Sequence, residues 1–341
     1  MKLISIQEAF RRRFERQANI PGLEYHASGH CVHIGKLSPG CYSCFAPNTL
    51  RGNFPLGSRC NRSCDYCYQT DGEDPPATQS RDGRLRKKAA LLQGALRPDR
   101  HYDAVIISFT GGGEPLLHLD LLQDYMQFYR GIEPRMNVRP WYYLYTNGVL
   151  ADRDMLMRLK EMGFDEIRFH LGASDFAENV YRNMEEAVGI LDTVTVETPA
   201  WPPHREKLFE MLHILEEIGV KHLNLGQVEV TENNRERIAE VLPEAEIFQC
   251  YNIHLDDQGL VYDLMEEVLR KRYRFSVLDC NAFVKSIQRS PGKHLFHESV
   301  KDLCADVSVC GKKSYQKGPS TAFGMQERRT LEAIRHTLES A

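Results

Sequence analysis

The run Cys60-Asn61-Arg62-Ser63-Cys64-Asp65-Tyr66-Cys67-Tyr68 places three thiols on one short stretch, with no fourth cysteine close by. Iron–sulfur cubanes normally take four Cys thiolates. Three ligands on one loop therefore leave one iron with an exchangeable position, much as a catalytic zinc keeps one coordination site open. An open site points to chemistry rather than scaffolding. A zinc site built partly from these cysteines is the alternative that the spacing by itself leaves standing.

The next informative stretch is Thr110-Gly111-Gly112-Gly113-Glu114-Pro115, which directly follows the apolar run Ile107-Ser108-Phe109. Glycines there allow close approach of backbone to a ligand, and Glu114 sets a carboxylate beside them. A phosphate-binding loop of the G-x4-G-K type needs a Lys that is absent. Read alone, three glycines at a strand end are a turn. In order, a C-x3-C-x2-C loop with an aromatic (Tyr66) before its last Cys, then a strand ending in Gly-Gly-Glu-Pro, resembles the radical S-adenosylmethionine (radical SAM) superfamily.

The resemblance implies a 4Fe-4S cluster on Cys60, Cys64 and Cys67, whose open iron chelates S-adenosylmethionine. Reductive cleavage then gives methionine and a 5′-deoxyadenosyl radical that abstracts hydrogen from a substrate. It carries the cofactor contacts over to Tyr66, Gly112, Gly113 and Glu114, and implies an electron donor such as flavodoxin or ferredoxin. Tyr145-Thr146-Asn147-Gly148 resembles the Thr-Asn-Gly turn of many members, which adds Asn147; a plain turn is the other reading.

The rest of the chain is read for alternation. From about residue 103, short β-branched or aromatic runs alternate with amphipathic segments, as βαβ units around a parallel sheet do. Strands are expected at 52–56, 102–109, 141–145, 166–171, 193–197 and 222–230. Helices are expected at 116–129, with Leu121, Leu122, Tyr125 and Phe128 inward, and at 152–162, 175–191, 203–218 and 233–242. Six units make a partial (β/α)6 TIM-like barrel, an α/β fold, the number the resemblance also implies. The expected division is an N-terminal extension with the C-x2-C over 1–50, the core barrel over 51–242 and a C-terminal extension over 243–341. Residues 69–100 read as an insertion ending in a basic helix at 84–95, and 326–338 as a short tail helix.

Polar residues at strand ends are further candidates, because parallel barrels place functional side chains on the C-terminal rim. His170 ends the fourth strand and is placed to meet the cofactor, or is a structural histidine. Glu197 ends the fifth; a carboxylate on an apolar strand needs a partner, either the cofactor or substrate or a core Arg such as Arg182. Gln227 and Glu229, two apart on the sixth strand, share a face, read as inward.

Seven cysteines remain. Cys41 and Cys44 form a C-x2-C knuckle able to present two thiolates to a second iron–sulfur cluster or a zinc, with Cys31, Cys250, Cys280, Cys304 and Cys310 as further ligands or buried free thiols. Fifteen residues separate Cys44 from Cys60, and C-x3-C is not a knuckle, so two separate sites are expected rather than one zinc ribbon. The stretch Ser38-Pro39-Gly40-Cys41, with Glu197-Thr198-Pro199 and the later 257–261 and 277–280 segments, resembles a little-characterised prokaryotic branch of the superfamily.

Composition narrows the class. With 341 residues, 42% hydrophobic and 26% charged, the chain reads as soluble and globular. No signal peptide or bilayer-spanning run is indicated, so a cytoplasmic location is expected and the cysteines read as metal ligands or reduced thiols. A net charge of −4 argues against nucleic acid as partner. The expected substrate is a small molecule, amino-acid derivative or peptide; an RNA-modifying enzyme and a non-catalytic iron–sulfur or zinc module are the alternatives.

Overall fold

A computed structural model describes residues 1–26, 31–41, 44, 49–68, 102–110, 113–136 and 138–289. The basic helix expected at 84–95, the tail helix at 326–338, Gly112, Cys304 and Cys310 lie outside the described residues. In chain order the elements are β1 (Lys2–Leu3), α1 (Ile6–Ala18), β2 (Glu24–His26), β3 (Cys31–Ile34), β4 (Thr49–Phe54), β5 (Ala104–Phe109), α2 (Leu119–Ile132), β6 (Trp141–Thr146), α3 (Arg153–Met162), β7 (Glu166–Phe169), α4 (Glu178–Ile190), β8 (Thr193–Pro199), α5 (Arg205–Ile218), β9 (His222–Gly226), β10 (Glu229–Val230), α6 (Arg235–Val241), β11 (Glu246–Gln249), β12 (Ile253–Leu255), α7 (Leu260–Lys271), β13 (Ser276–Cys280) and α8 (Ala282–Arg289).

Strands β4, β5, β6, β7, β8 and β9 pair in parallel, each with the next in sequence. This is the six-unit curved sheet of a partial TIM-like barrel, and it is not closed. Strand β13 adds in parallel beside β9, with Cys280 opposite Gly226. Strand β3 then pairs antiparallel to β13, and β2 antiparallel to β3. The order is β2-β3-β13-β9-β8-β7-β6-β5-β4, so segments from before β4 and after β9 join one sheet. A smaller sheet, β1-β11-β12-β10, packs beside it.

Alternation along each strand assigns the two faces. Val105, Ile107 and Phe109 on β5, with Tyr142 and Leu144 on β6 and Ile167 and Phe169 on β7, pack against the helices in the main apolar core. Ala104 and Ile106, with Trp141 and Tyr143, face the other way and share a second buried cluster with Cys31, Cys41 and Cys280. The helices begin and end where local chemistry says they should. Asp152 caps α3 by accepting from the Met155 N–H (2.9 Å), and Gly163, at φ 94°, ends it in the left-handed region that favours glycine.

Three expectations need correction. The single helix expected at 116–129 is a 3-10 turn, Pro115–His118, followed by α2. The turn resets the helical phase, so Leu122, Tyr125, Met126 and Tyr129 are buried while Leu121 and Phe128 are only partly so. The expected helix start at 175 fails because Asp175 and Phe176 adopt positive φ (55° and 59°) after the turn Leu171–Ser174. The expected strand 222–230 is two strands in different sheets, β9 and β10, so Gln227 and Glu229 do not share a strand face.

Candidate functional site

The cysteine loop leaves the C-terminal end of β4 and crosses the rim of the parallel strands. It is held by backbone contacts from the next strand: the Gly113 N–H donates to the Gly57 carbonyl (2.7 Å) and the Glu114 N–H to that of Arg59 (2.8 Å). The glycine is required by this approach, since a Cβ at position 113 would lie 1.7 Å from the Arg59 carbonyl oxygen. From the end of β6, the Asn147 amide donates to Asn61 Oδ1 (2.6 Å) and points at Cys60 Sγ (3.9 Å). From the far side, the fully buried Asn234 donates to the carbonyls of Tyr66 (3.0 Å) and Glu229 (2.8 Å), and Arg237 donates to the carbonyl of Cys67 (2.9 Å).

Cys60 is exposed, while Cys64 and Cys67 are half-buried. Burial, and then the neighbouring Cys67 and Cys60, push the Cys64 thiol up to about 12. The Cys64 thiol therefore holds its proton until a cation replaces it, which is the behaviour of a metal-binding thiol. Among the described residues no three Cys, His, Asp or Glu side chains close on one ion. Three thiols on one loop have the chemistry to hold an iron–sulfur cluster.

Glu114 is buried beside the loop, and both of its carboxylate oxygens accept hydrogen bonds. Its carboxylate accepts from the N–H of Leu116 (3.0 Å), the hydroxyl of Thr146 (2.8 Å) and the N–H of Asn147 (2.7 Å). Burial raises its pKa and these donors oppose the rise. The Gly-Gly-Glu-Pro turn, the Thr-Asn-Gly turn and the cysteine loop are thus one hydrogen-bonded unit.

Tyr66 and His170 form a second wall. Their rings stack with centroids 5.8 Å apart and planes 5° off parallel, and the phenol meets His170 Nε2 at 3.2 Å. Burial holds His170 neutral, its pKa pushed down to about 4. Trp201 packs edge-on to Tyr66 at 5.5 Å. Sequence reading missed Trp201, Asn234 and Arg237; the contact that reveals each is with a loop more than 100 residues away in sequence.

Glu197 finds a different core arginine from the one expected. Its Oε2 accepts from Arg168 (2.8 Å), Asn224 (3.1 Å) and the Tyr145 hydroxyl (3.1 Å), whereas Arg182 sits on the surface with Glu178. Arg168, stacked 4.2 Å over the Tyr143 ring, also pairs with the buried Glu166 (2.8 Å). Arg168 holds both carboxyls below the usual carboxylate range, against their burial. Gln227 is buried and spent on structure: it donates to the Leu255 carbonyl (2.9 Å) and accepts from the Ala282 N–H (2.9 Å). Glu229 pairs with Asn252 near the surface.

The radical SAM superfamily model matches residues 54–242. Among curated proteins, the tungsten-containing aldehyde ferredoxin oxidoreductase cofactor-modifying protein of Pyrococcus furiosus is 28% identical over 191 residues, 54% of this chain and 45% of that protein. An uncharacterized protein of Methanocaldococcus jannaschii is 27% identical over 127 residues, 37% of this chain and 35% of that protein. The chain therefore spans less than half the length of these curated relatives. Among solved structures, anSMEcpe with bound AdoMet shares 16% identity, with 68% of this chain and 61% of that one covered, at a TM-score of 0.45. SuiB of Streptococcus suis bound to its precursor peptide shares 11%, covering 68% and 48%, at 0.43. Members of the superfamily are enzymes that use a 4Fe-4S cluster and S-adenosylmethionine. With the match spanning more than half of its residues, this chain belongs to the radical SAM superfamily.

Proposed function

We propose that this chain reductively cleaves S-adenosylmethionine and uses the resulting radical to take hydrogen from a small amino-acid-derived or peptide substrate. The observation that carries the reading is the convergence of Cys60, Cys64 and Cys67 with Gly113, Glu114 and Asn147 on one rim of the sheet. Cys60, Cys64 and Cys67 would hold the cluster, which would supply the one electron needed to cleave the sulfonium of S-adenosylmethionine.

The chain's own residues do the rest. The buried Glu114, already accepting three hydrogen bonds, keeps a carboxylate oxygen beside the cysteine loop for an amino group. The wall of Tyr66, Trp201 and neutral His170 offers an apolar, aromatic surface to a nucleoside and excludes water, which protects a radical from side reactions. The partly exposed Glu197 carboxylate, held by Arg168, is placed to accept from an amino group, as amino acids and peptide termini carry. The cofactor-modifying name of the Pyrococcus relative makes a small polar cofactor the second reading. Flavodoxin or ferredoxin is the proposed electron source and the cytoplasm the proposed compartment; no helix among the described residues is long and apolar enough to cross a membrane.

The test is anaerobic reconstitution followed by dithionite. The protein is expected to release 5′-deoxyadenosine from S-adenosylmethionine, and Cys64→Ala to release none. Equal release by both proteins overturns the reading. Tight RNA binding that weakens steeply with salt would move the substrate to nucleic acid, against the net charge of −4.

A further inference from the structure

The sequence offers Cys41 and Cys44 to a second metal without showing what completes the set, and the fold gathers four cysteines. Cys31 begins β3 and Cys280 ends β13. The antiparallel register pairs Val277 with Ile34 and Leu278 with His33; carried on by two residues, it sets Cys280 across from Cys31. Residues so placed have side chains on one face, with Cβ atoms about 5 Å apart. Cys41 arrives on the 3-10 turn Pro39–Cys41, which Ser38 anchors to Glu166 through a 2.6 Å hydrogen bond. Cys31, Cys41 and Cys280 are buried together with Leu37, Ala104, Ile106, Trp141, Tyr143 and Leu278, and Cys44 packs against that group. The Cys31 thiol feels Cys280, Cys41 and Cys44, and Cys280 in turn feels Cys44.

Charged and amide donors reach into this otherwise apolar layer. Arg51 Nη1 donates to Cys44 Sγ at 2.6 Å, and the same guanidinium also donates to the Tyr143 hydroxyl (2.9 Å) and the Asn53 amide oxygen (3.0 Å). This sets a guanidinium directly against a sulfur. Arg168 Nη2 and the Asn224 amide both point at Cys41 Sγ, at 3.6 and 3.5 Å. Lys285 lies beside Cys280. Donors aimed at sulfur are how a protein stabilises, and tunes, a thiolate-ligated cluster. Four core thiols acting only as small hydrophobes would need none of this.

We propose that Cys31, Cys41, Cys44 and Cys280 ligate a second 4Fe-4S cluster, separate from the one on Cys60, Cys64 and Cys67. Four thiols are the usual ligand set of a cubane, and a single zinc on the same four is the occupant that the metal count below distinguishes. Four thiolates leave no open iron, so this cluster holds no exchangeable ligand and is suited to carrying one electron. Its ligands come from β3, the Pro39–Cys41 turn and β13, which tie the N-terminal segment to the last parallel strand. The site is independent of the proposed cofactor cleavage and stands or falls separately from it.

The experiment uses the full chain with Cys60, Cys64 and Cys67 all changed to Ala, which leaves every proposed ligand in place. After anaerobic reconstitution, this variant should retain about four irons per chain against about eight for the wild type. On reduction it should show the paramagnetic signal of a 4Fe-4S cluster, unaltered by S-adenosylmethionine. Cys41→Ser with Cys280→Ser in the wild-type background should drop to about four irons and keep a signal that S-adenosylmethionine alters. The proposal is overturned if the triple variant binds no iron while its far-UV dichroism matches the wild type, if it binds one zinc instead, or if mass analysis finds Cys31 and Cys280 joined in a disulfide. Loss of the other signal alone would count against the cleavage reading and not against this one.

Discussion

Single residues carry constraints that composition does not reveal. Gly113 is not in the left-handed region; it is needed because backbone crosses backbone there, with the Arg59 oxygen where a methyl would go. Gly113→Ala must push the cysteine loop away, and we expect the variant to fold with the usual helix content yet load less than half the iron of the Cys60 group. Unchanged iron content would show that the loop tolerates the displacement. His222 makes a different prediction. Buried against Ser276, with Nδ1 to Oγ 2.7 Å, it stays neutral, its pKa pushed down to about 4 chiefly by burial. The unfolded chain takes up this proton near pH 6.5 and the folded chain not until about pH 4. Stability from His222 is therefore complete above pH 6.5 and is lost as pH falls through that window, by up to about 3 kcal/mol. Denaturant midpoints measured at steps from pH 7 to pH 4 should fall less steeply for His222→Gln than for the wild type.

At the scale of elements, the site is a meeting of strand ends with a distant clamp. The turns after β5 and β6 reach the cysteine loop through the Gly113, Glu114 and Asn147 contacts, and the segment leading into α6 closes on it from the opposite side. Asn234 links these parts, joining Tyr66 of the loop to Glu229 of β10. Asn234→Ala leaves two buried carbonyls without their donor, a loss of about 1–3 kcal/mol. It should also speed iron release to a chelator several-fold, with Thr231→Ala as a neighbouring control that leaves the Tyr66 contact in place. Equal chelation rates would remove Asn234 from the support of the loop. The strands and the two motif turns were legible because periodicity and glycine placement are local. The clamp was not, since nothing around Asn233-Asn234 says which loop lies above it.

Across the described residues, segments from before β4 and after β9 are part of the sheet's architecture. Helix α1 docks through Arg13, which is 4% exposed and donates to Asp257 and Asp279 at 2.8 Å each. Tyr262 and Gln17 extend the network to α7. Arg13→Ala strands two buried carboxyls, and a loss of about 3–5 kcal/mol is expected, read as a lower melting temperature with a single cooperative transition. A separate early transition would instead mean that α1 unfolds by itself. The sequence alone determined the superfamily, the six successive parallel strands and the positions of the cysteine, Gly-Gly-Glu-Pro and Thr-Asn-Gly motifs, because each is written in neighbouring residues. Only the tertiary structure decided that β13 and β3 extend the sheet, that Arg168 rather than Arg182 answers Glu197, and that Cys31, Cys41, Cys44 and Cys280 share one layer. Those outcomes depend on pairings between residues far apart in the chain, and strand pairing and buried charge are settled by which surfaces exclude water together, a choice no local pattern encodes.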